Sequence, residues 1–493
     1  MIDRYPYIKG FLICLVILGL VLPHPASAIT IQEEEELSRE FLKVVREHFD
    51  IIDDPYINRY IQSVGERILA QMPPQPFKYH FYVINEPTYN AFAAPAGHIF
   101  INSGLIEAMT GEAELAGIMA HEISHVVCRH ISEKIERSTK ISLATLAGIA
   151  AGVFLGAGGA AAAANAVSIG SMAAGQSLSL AYSREDERQA DQLALSYLKD
   201  ADYGADGLLT MLKKIRDKSW FGPESIPTYL STHPAVDERI AHIGSWIETH
   251  SPAPTTADMD GFRKAHARLS ALYGDLDAAI QDFRSRVESA DADPMAHYGY
   301  GLALARNGKR SAAVAHLQTV LKKRAFDPQI LADLGWIYFL DGDYEAARKT
   351  LDGALSIDPK TPDALFYLGR TRMATGDYPS AVDLFERLLK VYPSYPRGLY
   401  FLGEAYGRLE VLDQAHYYLG LHYKEAGDPV TALFHLKRAA ELTGDPEKAE
   451  EIRKILKSVG KAAARERMAE KEEVRSRRRF APIPPGRNGQ TAW

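Results

Sequence analysis

Apolar residues follow two alternating periods along the first half of the chain. Leu37, Phe41, Val44, Val45 and Phe49 recur at helical spacing, which predicts helix over 32–75 with a stop at Pro73, Pro74 and Pro76. Phe77, Tyr79, Phe81 and Val83 then alternate with Lys78, His80 and Tyr82, which predicts a strand with one buried face. Residues 90–106 read as a turn and a second strand, bent at Pro95 and Gly97. A helix is predicted from about Gly111 through His130, and charged helical patterns return over 183–250. Helices around a small sheet define an α+β domain.

The second half repeats. Gly274, Gly308, Gly342 and Gly376 stand 34 residues apart, and Glu410 holds the next place in the series. Ala279, Ala313, Ala347, Ala381 and Ala415 follow these by five residues, and Ala267, Gly301, Gly335, Gly369 and Gly403 precede them by seven. Pro294, Pro328, Pro362 and Pro396 keep the same period. Small residues where paired helices cross, at this period, are the tetratricopeptide signature. A further unit with Gly420, Gly427 and Ala432 begins after 17 residues, which predicts one helix shared by the last two repeats. The boundaries expected are 29–250 for the α+β domain, 251–258 for a linker, 259–460 for the all-α tetratricopeptide solenoid and 461–493 for a charged, disordered tail.

The ends and the middle add limits. A polar lead with Arg4 and Lys9, an apolar run from Phe11 to Leu22 and Ala26-Ser27-Ala28 read as a signal peptide over 1–28, cleaved after Ala28. Cys14 falls within it, with Leu12 and Ile13 before it where a lipoprotein acceptor would have small residues, so only Cys128 remains and no internal disulfide is expected. Residues 141–182 hold no charged side chain and are rich in Ala and Gly. They read first as a helical lid or hairpin on the soluble domain, with membrane insertion or contact as the competing reading. The run Arg477, Arg478, Arg479 reads as a solvated tail. A formal net charge of −7 argues against nucleic acid as a partner.

The candidate chemistry is concentrated in "HEISH". His121 and His125 are four apart, on one face of a helix, where two imidazoles can hold one zinc ion. Glu122, beside the first of them, is placed to act as general base on a zinc-bound water. A catalytic zinc needs a third ligand. The histidine-rich continuation of some zinc proteases would need glycine at 128 and histidine at 131, but Cys128 and Ile131 stand there. In "SREDERQADQ", Glu187 and Asp191 are four apart: Glu187 suits ligation, and Asp191 suits a hydrogen bond to a ligand histidine or proton donation. Cys128 reads as a buried small side chain, and His130 as a packing or capping residue off the ligand stripe.

Four segments occur in order: "NAFAAPAGHIFINSGLI", "ELAGIMAHEISHVVCRH", "SREDERQAD" and "STHPAVDERI". Together they resemble the M48 family of zinc metalloproteases over about residues 32–250. The resemblance implies a zincin-like (gluzincin) fold, one zinc per chain on His121, His125 and Glu187, and Glu122 as base. It places Asp191 in the supporting acidic position and brings His233 and Arg239 near the metal, as oxyanion stabilisers or, for His233, as a fourth ligand that keeps the site closed. It also implies that the strand near Ala94–Phe100 is the edge on which substrate pairs. With the leader and repeats, it implies a periplasmic endopeptidase. Unfolded or stalled outer-membrane proteins would be its clients and their assembly machinery its partner, met through the repeats. The alternative is a periplasmic chaperone or adaptor with a normally closed zinc site.

Overall fold

The computed structural model describes residues 29–137, 182–218, 228–250, 257–289, 293–393 and 395–479. The leader, the Ala/Gly-rich stretch to 181, the break at 251–256 and residues 480–493 lie outside the described residues. No helix among the described residues is long and apolar enough to cross a membrane. Two compact units divide at Asn307/Gly308.

In the first unit, α1 (Ile31–His48) and α2 (Pro55–Leu69) replace the single long helix expected. The break between them carries Ile51, which bridges to Ile84. Asp54 then caps α2 by accepting from the Tyr56 and Ile57 amides, with Pro55 in the first turn. The sheet follows: β1 (His80–Ile84), β2 (Ala91–Ala94), a 3-10 turn at Pro95–Gly97, and β3 (His98–Asn102). The strand order is β1-β3-β2, with β1 parallel and β2 antiparallel to β3.

Both faces of this sheet are covered, where the alternation in β1 predicted one. Phe81, Val83, Ala91, Ala93, Ile99 and Ile101 join the main core beneath. Ile84, Phe92, Ala94 and Phe100 meet Leu37, Phe41 and Val45 of α1 above. Tyr82, on that second face, is amphipathic and stacks on Phe100, so its polar hydroxyl disguised a covered position.

Next come α3 (Ser103–Glu107), α4 (Glu112–Val127), α5 (His130–Arg137), α6 (Arg184–Asp200), α7 (Asp206–Lys218), α8 (Thr228–Thr232) and α9 (Val236–Thr249). Helix α4 lies in the core against β2, α6 and α7. Two glycines set its depth. A Cβ on Gly117 would stand 2.6 Å from the Leu208 amide nitrogen, and one on Gly207 would stand 2.0 Å from the Ala113 carbonyl oxygen. Backbone thus meets backbone where α4 and α7 cross, and no larger residue fits.

The first unit continues past the expected linker through α10 (Met259–Leu272), α11 (Leu276–Glu288) and α12 (Pro294–Arg306). Buried polar contacts fasten α10 to the core. Arg268 donates to Asp54 at 2.7 Å, and buried Glu112 accepts from the Asp258 amide at 2.9 Å and from the hydroxyls of Tyr60 and Tyr203. Breaking such a buried pair typically costs about 3–5 kcal/mol.

The second unit is a series of helical pairs: α13 (Arg310–Leu321), α14 (Pro328–Asp341), α15 (Tyr344–Ile357), α16 (Pro362–Ala374), α17 (Tyr378–Val391), α18 (Pro396–Arg408), α19 (Leu412–Glu425), α20 (Pro429–Leu442) and α21 (Pro446–Arg479). The periodic residues occupy the crossings. A Cβ on Gly335, Gly369 or Gly403 would reach 2.5–2.9 Å from Leu351, Phe385 or Leu419, and Ala313, Ala347 and Ala381 are fully buried. Helix α19 packs on both α18 and α20, as a helix shared between repeats must. Residues 461–479 are helical, where the sequence reading has a disordered tail. That stretch is rich in Ala, Glu, Lys and Arg and lacks Gly and Pro, so helix propensity prevails over its charge.

Gly308, Gly342, Gly376 and Gly427 all take left-handed backbone at the turns, with φ of 76–82°. Glu410, in the same place, is held at φ 61°. A side chain there costs about 1 kcal/mol that glycine avoids. Glu410→Gly should therefore raise stability by about 1 kcal/mol, read as a higher urea midpoint for loss of helical circular dichroism.

Candidate active site

Three helices and one turn bring the site together. Helix α4 carries His121, Glu122 and His125, all fully buried. Helix α6 starts at a capping box in which Ser183 and Asp186 satisfy each other's backbone amides. This fixes its first turn, from which Glu187 and then Asp191 enter the core. The end of α8 delivers His233, whose amide donates to the Tyr229 carbonyl at 2.7 Å. Ala235 then takes left-handed backbone, φ 62°, and turns the chain into α9 with Arg239 in its first turn. The Tyr182 amide donates to the Thr232 carbonyl, tying the approach to α6 to the His233 turn.

Donor atoms of His121, His125, Glu187 and His233 all lie within 4.8 Å of one another. His121 Nε2 is 3.0 Å from His125 Nε2 and 3.4 Å from His233 Nδ1. Glu187 Oε1 is 3.1 Å from His233 Nδ1 and 3.5 Å from His125 Nε2, and Glu187 Oε2 is 3.4 Å from His121 Nε2. Tetrahedral ligands about 2.0–2.1 Å from a zinc ion stand about 3.3 Å from one another. The nitrogen and oxygen set and its spacing therefore fit zinc.

The surroundings hold these donors in place. Asp191 Oδ1 sits 2.9 Å from His121 Nδ1, which leaves Nε2 to face the cluster. Arg239 donates to both oxygens of Asp191 at 2.8 Å and pairs with Glu187 at 2.7 Å. Burial opposes ionisation of both acids, but Arg239 and the neighbouring imidazoles win and hold them well below the usual carboxylate range. Burial and Arg239 likewise oppose a charge on His121, yet Asp191 and Glu187 lift it to about 9. Burial drives His125 well below its ordinary value. Glu122 differs: burial raises its pKa, and neither of its oxygens has a hydrogen-bond partner. On the His233 side, His233 Nε2 lies 3.7 Å from Glu122 Oε1.

All seven residues singled out from sequence thus meet in one buried cluster, with two changes of place. Arg239, expected among the oxyanion stabilisers, is instead engaged by Asp191 and Glu187 behind the donor atoms. The expected edge near Ala94–Phe100 includes β3, which is the central strand, so β2 is the edge beside α4. Cys128 is half-buried and outside the donor group.

Three residues of the site escaped the sequence reading. His130 Nδ1 lies 2.9 Å from His125 Nδ1, because left-handed Arg129 (φ 54°) reverses the chain after α4. Tyr182 stacks on His125 with centroids 3.6 Å apart, and Tyr229 stacks on His233 at 4.1 Å. Tyr229 stands four residues before His233 on a short helix, a spacing that could have revealed it.

A helix with paired histidines and a glutamate, a second helix with a third ligand and a three-stranded sheet define a zincin-type metallopeptidase domain. Comparison with known proteins agrees: residues 55–247 match the model of peptidase family M48, and residues 301–362 and 338–406 match tetratricopeptide repeat models. Residues 55–247 are thus similar to peptidase family M48, and repeats similar to tetratricopeptide repeats follow them. A relative from Vibrio cholerae is 30% identical over 283 residues, 56% of this chain and 57% of its own. One from Yersinia pestis is 26% identical over 318 residues, 64% of this chain and 63% of its own. Both carry beta-barrel assembly-enhancing protease in their names. Mitochondrial metalloendopeptidase OMA1 of Schizosaccharomyces pombe is 28% identical over 199 residues, 40% of this chain and 56% of its own. The chain spans less than two thirds of the length of these relatives.

Asp191→Asn should leave the fold intact and weaken zinc binding about 10–100-fold, because the His121 ring loses its anionic anchor. Competition with a chelating dye reads the change.

Proposed function

We propose that the chain is a zinc-dependent endopeptidase of the bacterial envelope that acts on unfolded or misassembled proteins during outer-membrane protein assembly. The observation that carries the peptidase reading is the convergence of His121, His125 and Glu187 beside an unpartnered carboxylate, Glu122. His121, His125 and Glu187 would hold a zinc ion, which would supply Lewis-acid polarisation of a substrate carbonyl and a water made nucleophilic near neutral pH.

The protein's own residues do the rest. His121, His125 and Glu187 are the metal ligands. Glu122 accepts the proton of the attacking water and returns it to the departing amine, with a pKa that burial moves toward the working range of a general base. Asp191 and Arg239 are positioning residues: one fixes the His121 ring, and the other neutralises Asp191 and Glu187. The edge strand β2 offers backbone groups beside α4 for an extended substrate. The repeats bind clients and the assembly machinery. The names of the Vibrio and Yersinia relatives support the assembly role, and the leader read from sequence supports the periplasm.

A second reading rests on a specific observation. His233 Nδ1 occupies a fourth donor position, and the whole group is shielded from solvent. A site held closed in this way suits a chaperone or adaptor that cleaves only when a client displaces His233.

Glu122→Gln should retain zinc by atomic absorption and lose about 100–10,000-fold in cleavage of an unfolded test protein. Undiminished cleavage would sink the mechanism. Full rescue of a deletion phenotype by this variant would favour the chaperone reading.

A further inference from the structure

The second unit carries a cluster that folding alone does not call for. In the period-34 series, the first helices α14, α16 and α18 pack as successive neighbours. Arg370 of α16 lies between two rings, its guanidinium carbon 5.2 Å from the Phe339 centroid and 3.7 Å from that of Phe401. Arg397 of α18 stands 4.5 Å over Phe366 and 5.9 Å over Tyr367. Trp336 and Tyr400 extend the aromatic surface through contacts with Tyr367 at 6.1 Å and Phe401 at 5.1 Å. Phe339, Tyr367 and Phe401 are only partly buried, and Tyr400 is 38% exposed.

The two cations are close enough to oppose each other. Burial, then the charge of Arg397, push Arg370 below its ordinary value, against the pull of Tyr367 and Glu404. Other arginines of these repeats have acids: Arg372 pairs with Asp377 at 3.2 Å, Arg387 with Asp383 at 3.7 Å and Arg408 with Glu404 at 3.9 Å. Arg370 and Arg397 form none of the close ion pairs seen among the described residues; Glu404 acts on Arg370 only through its charge, and Arg397 is raised above its ordinary value, against burial, by Tyr367, Tyr395 and Asp363. In a chain of net charge −7, a half-buried Arg370 and an exposed Arg397 place two guanidinium groups on this aromatic surface, with Glu404 and Asp363 acting on them through their charge alone.

The chemistry that meets this surface is an anion beside an aromatic group. Planar guanidinium takes a carboxylate through two parallel hydrogen bonds, and rings pack against rings. The extent of the surface selects among anions. Three helices at 8–10 Å spacing span roughly 20 Å, the length of about six residues of extended chain and far more than one small anion.

We propose that the Arg370/Arg397 surface binds an extended peptide in which an acidic side chain neighbours an aromatic one. Only the identification of that peptide as a segment of an unfolded client rests on the function proposed above. Binding itself does not depend on cleavage.

The test uses the full chain carrying Glu122→Gln, so that the probe survives. The probe is a short dye-labelled peptide of Phe, Glu and Ser, followed by fluorescence anisotropy, with a second peptide in which every Glu is Gln. The acidic peptide should bind at least about tenfold tighter than its amide counterpart. Arg370→Gln with Arg397→Gln should abolish that preference, and Arg408→Gln should leave it intact. Equal binding of the two peptides, or a preference that survives the double substitution, overturns the proposal. So does displacement of the acidic peptide by inorganic phosphate at equal concentration, which would mark a general anion site. If the double variant does not fold, Arg370→Lys with Arg397→Lys is read instead. It keeps the charge and loses the planar fork, so affinity for the acidic peptide should fall several-fold, and unchanged affinity overturns the proposal. A chain that binds the peptide while wild type cleaves nothing would contradict the peptidase reading and leave this one standing.

Discussion

Arg239 is the counter-charge that makes the site possible. Glu187 and Asp191 are buried in the same core, and a buried carboxylate without a partner would protonate or unfold its surroundings. One guanidinium meets both, at 2.7 and 2.8 Å. The acids therefore stay ionised in a dry place, where their attraction for a cation is strongest. Asp191 passes that order to the His121 ring, and Glu187 joins the donor cluster directly. Without Arg239, α6 could not present two acids to α4.

The scaffold serves the same constraint. Gly117 and Gly207 let α4 sink against α7 until their backbones touch, which carries His121, Glu122 and His125 away from water. The sheet and α1 close the other side. The first repeat helix joins this core through Arg268, Asp54 and Glu112, so a unit that looks separable in sequence begins inside the peptidase core.

Much of this was legible in the chain. Spacing alone puts His121 with His125 and Glu187 with Asp191 on common helix faces, and the period of 34 marks the helix crossings at Gly335, Gly369 and Gly403. What stayed hidden depended on chain reversals and on tertiary contacts. His130 lies off the stripe of α4 in any continuous helix and reaches His125 only because Arg129 turns left-handed. The break at Ile51 is set by a bridge to Ile84 that no local pattern announces. Arg239 looks like a free cation in sequence, and only the fold shows that two buried acids already hold it. Arg370 and Arg397, 27 residues apart, meet only because successive repeats stack.

In the proposed function one zinc ion sits on His121, His125 and Glu187, and the closed form adds His233 as the fourth donor. X-ray absorption at the zinc edge on the metal-loaded full chain tests it directly. Three imidazoles and one carboxylate are expected, with one imidazole lost in His233→Ala while zinc is retained. A spectrum with two imidazoles that His233→Ala leaves unchanged would contradict the closed, four-donor site.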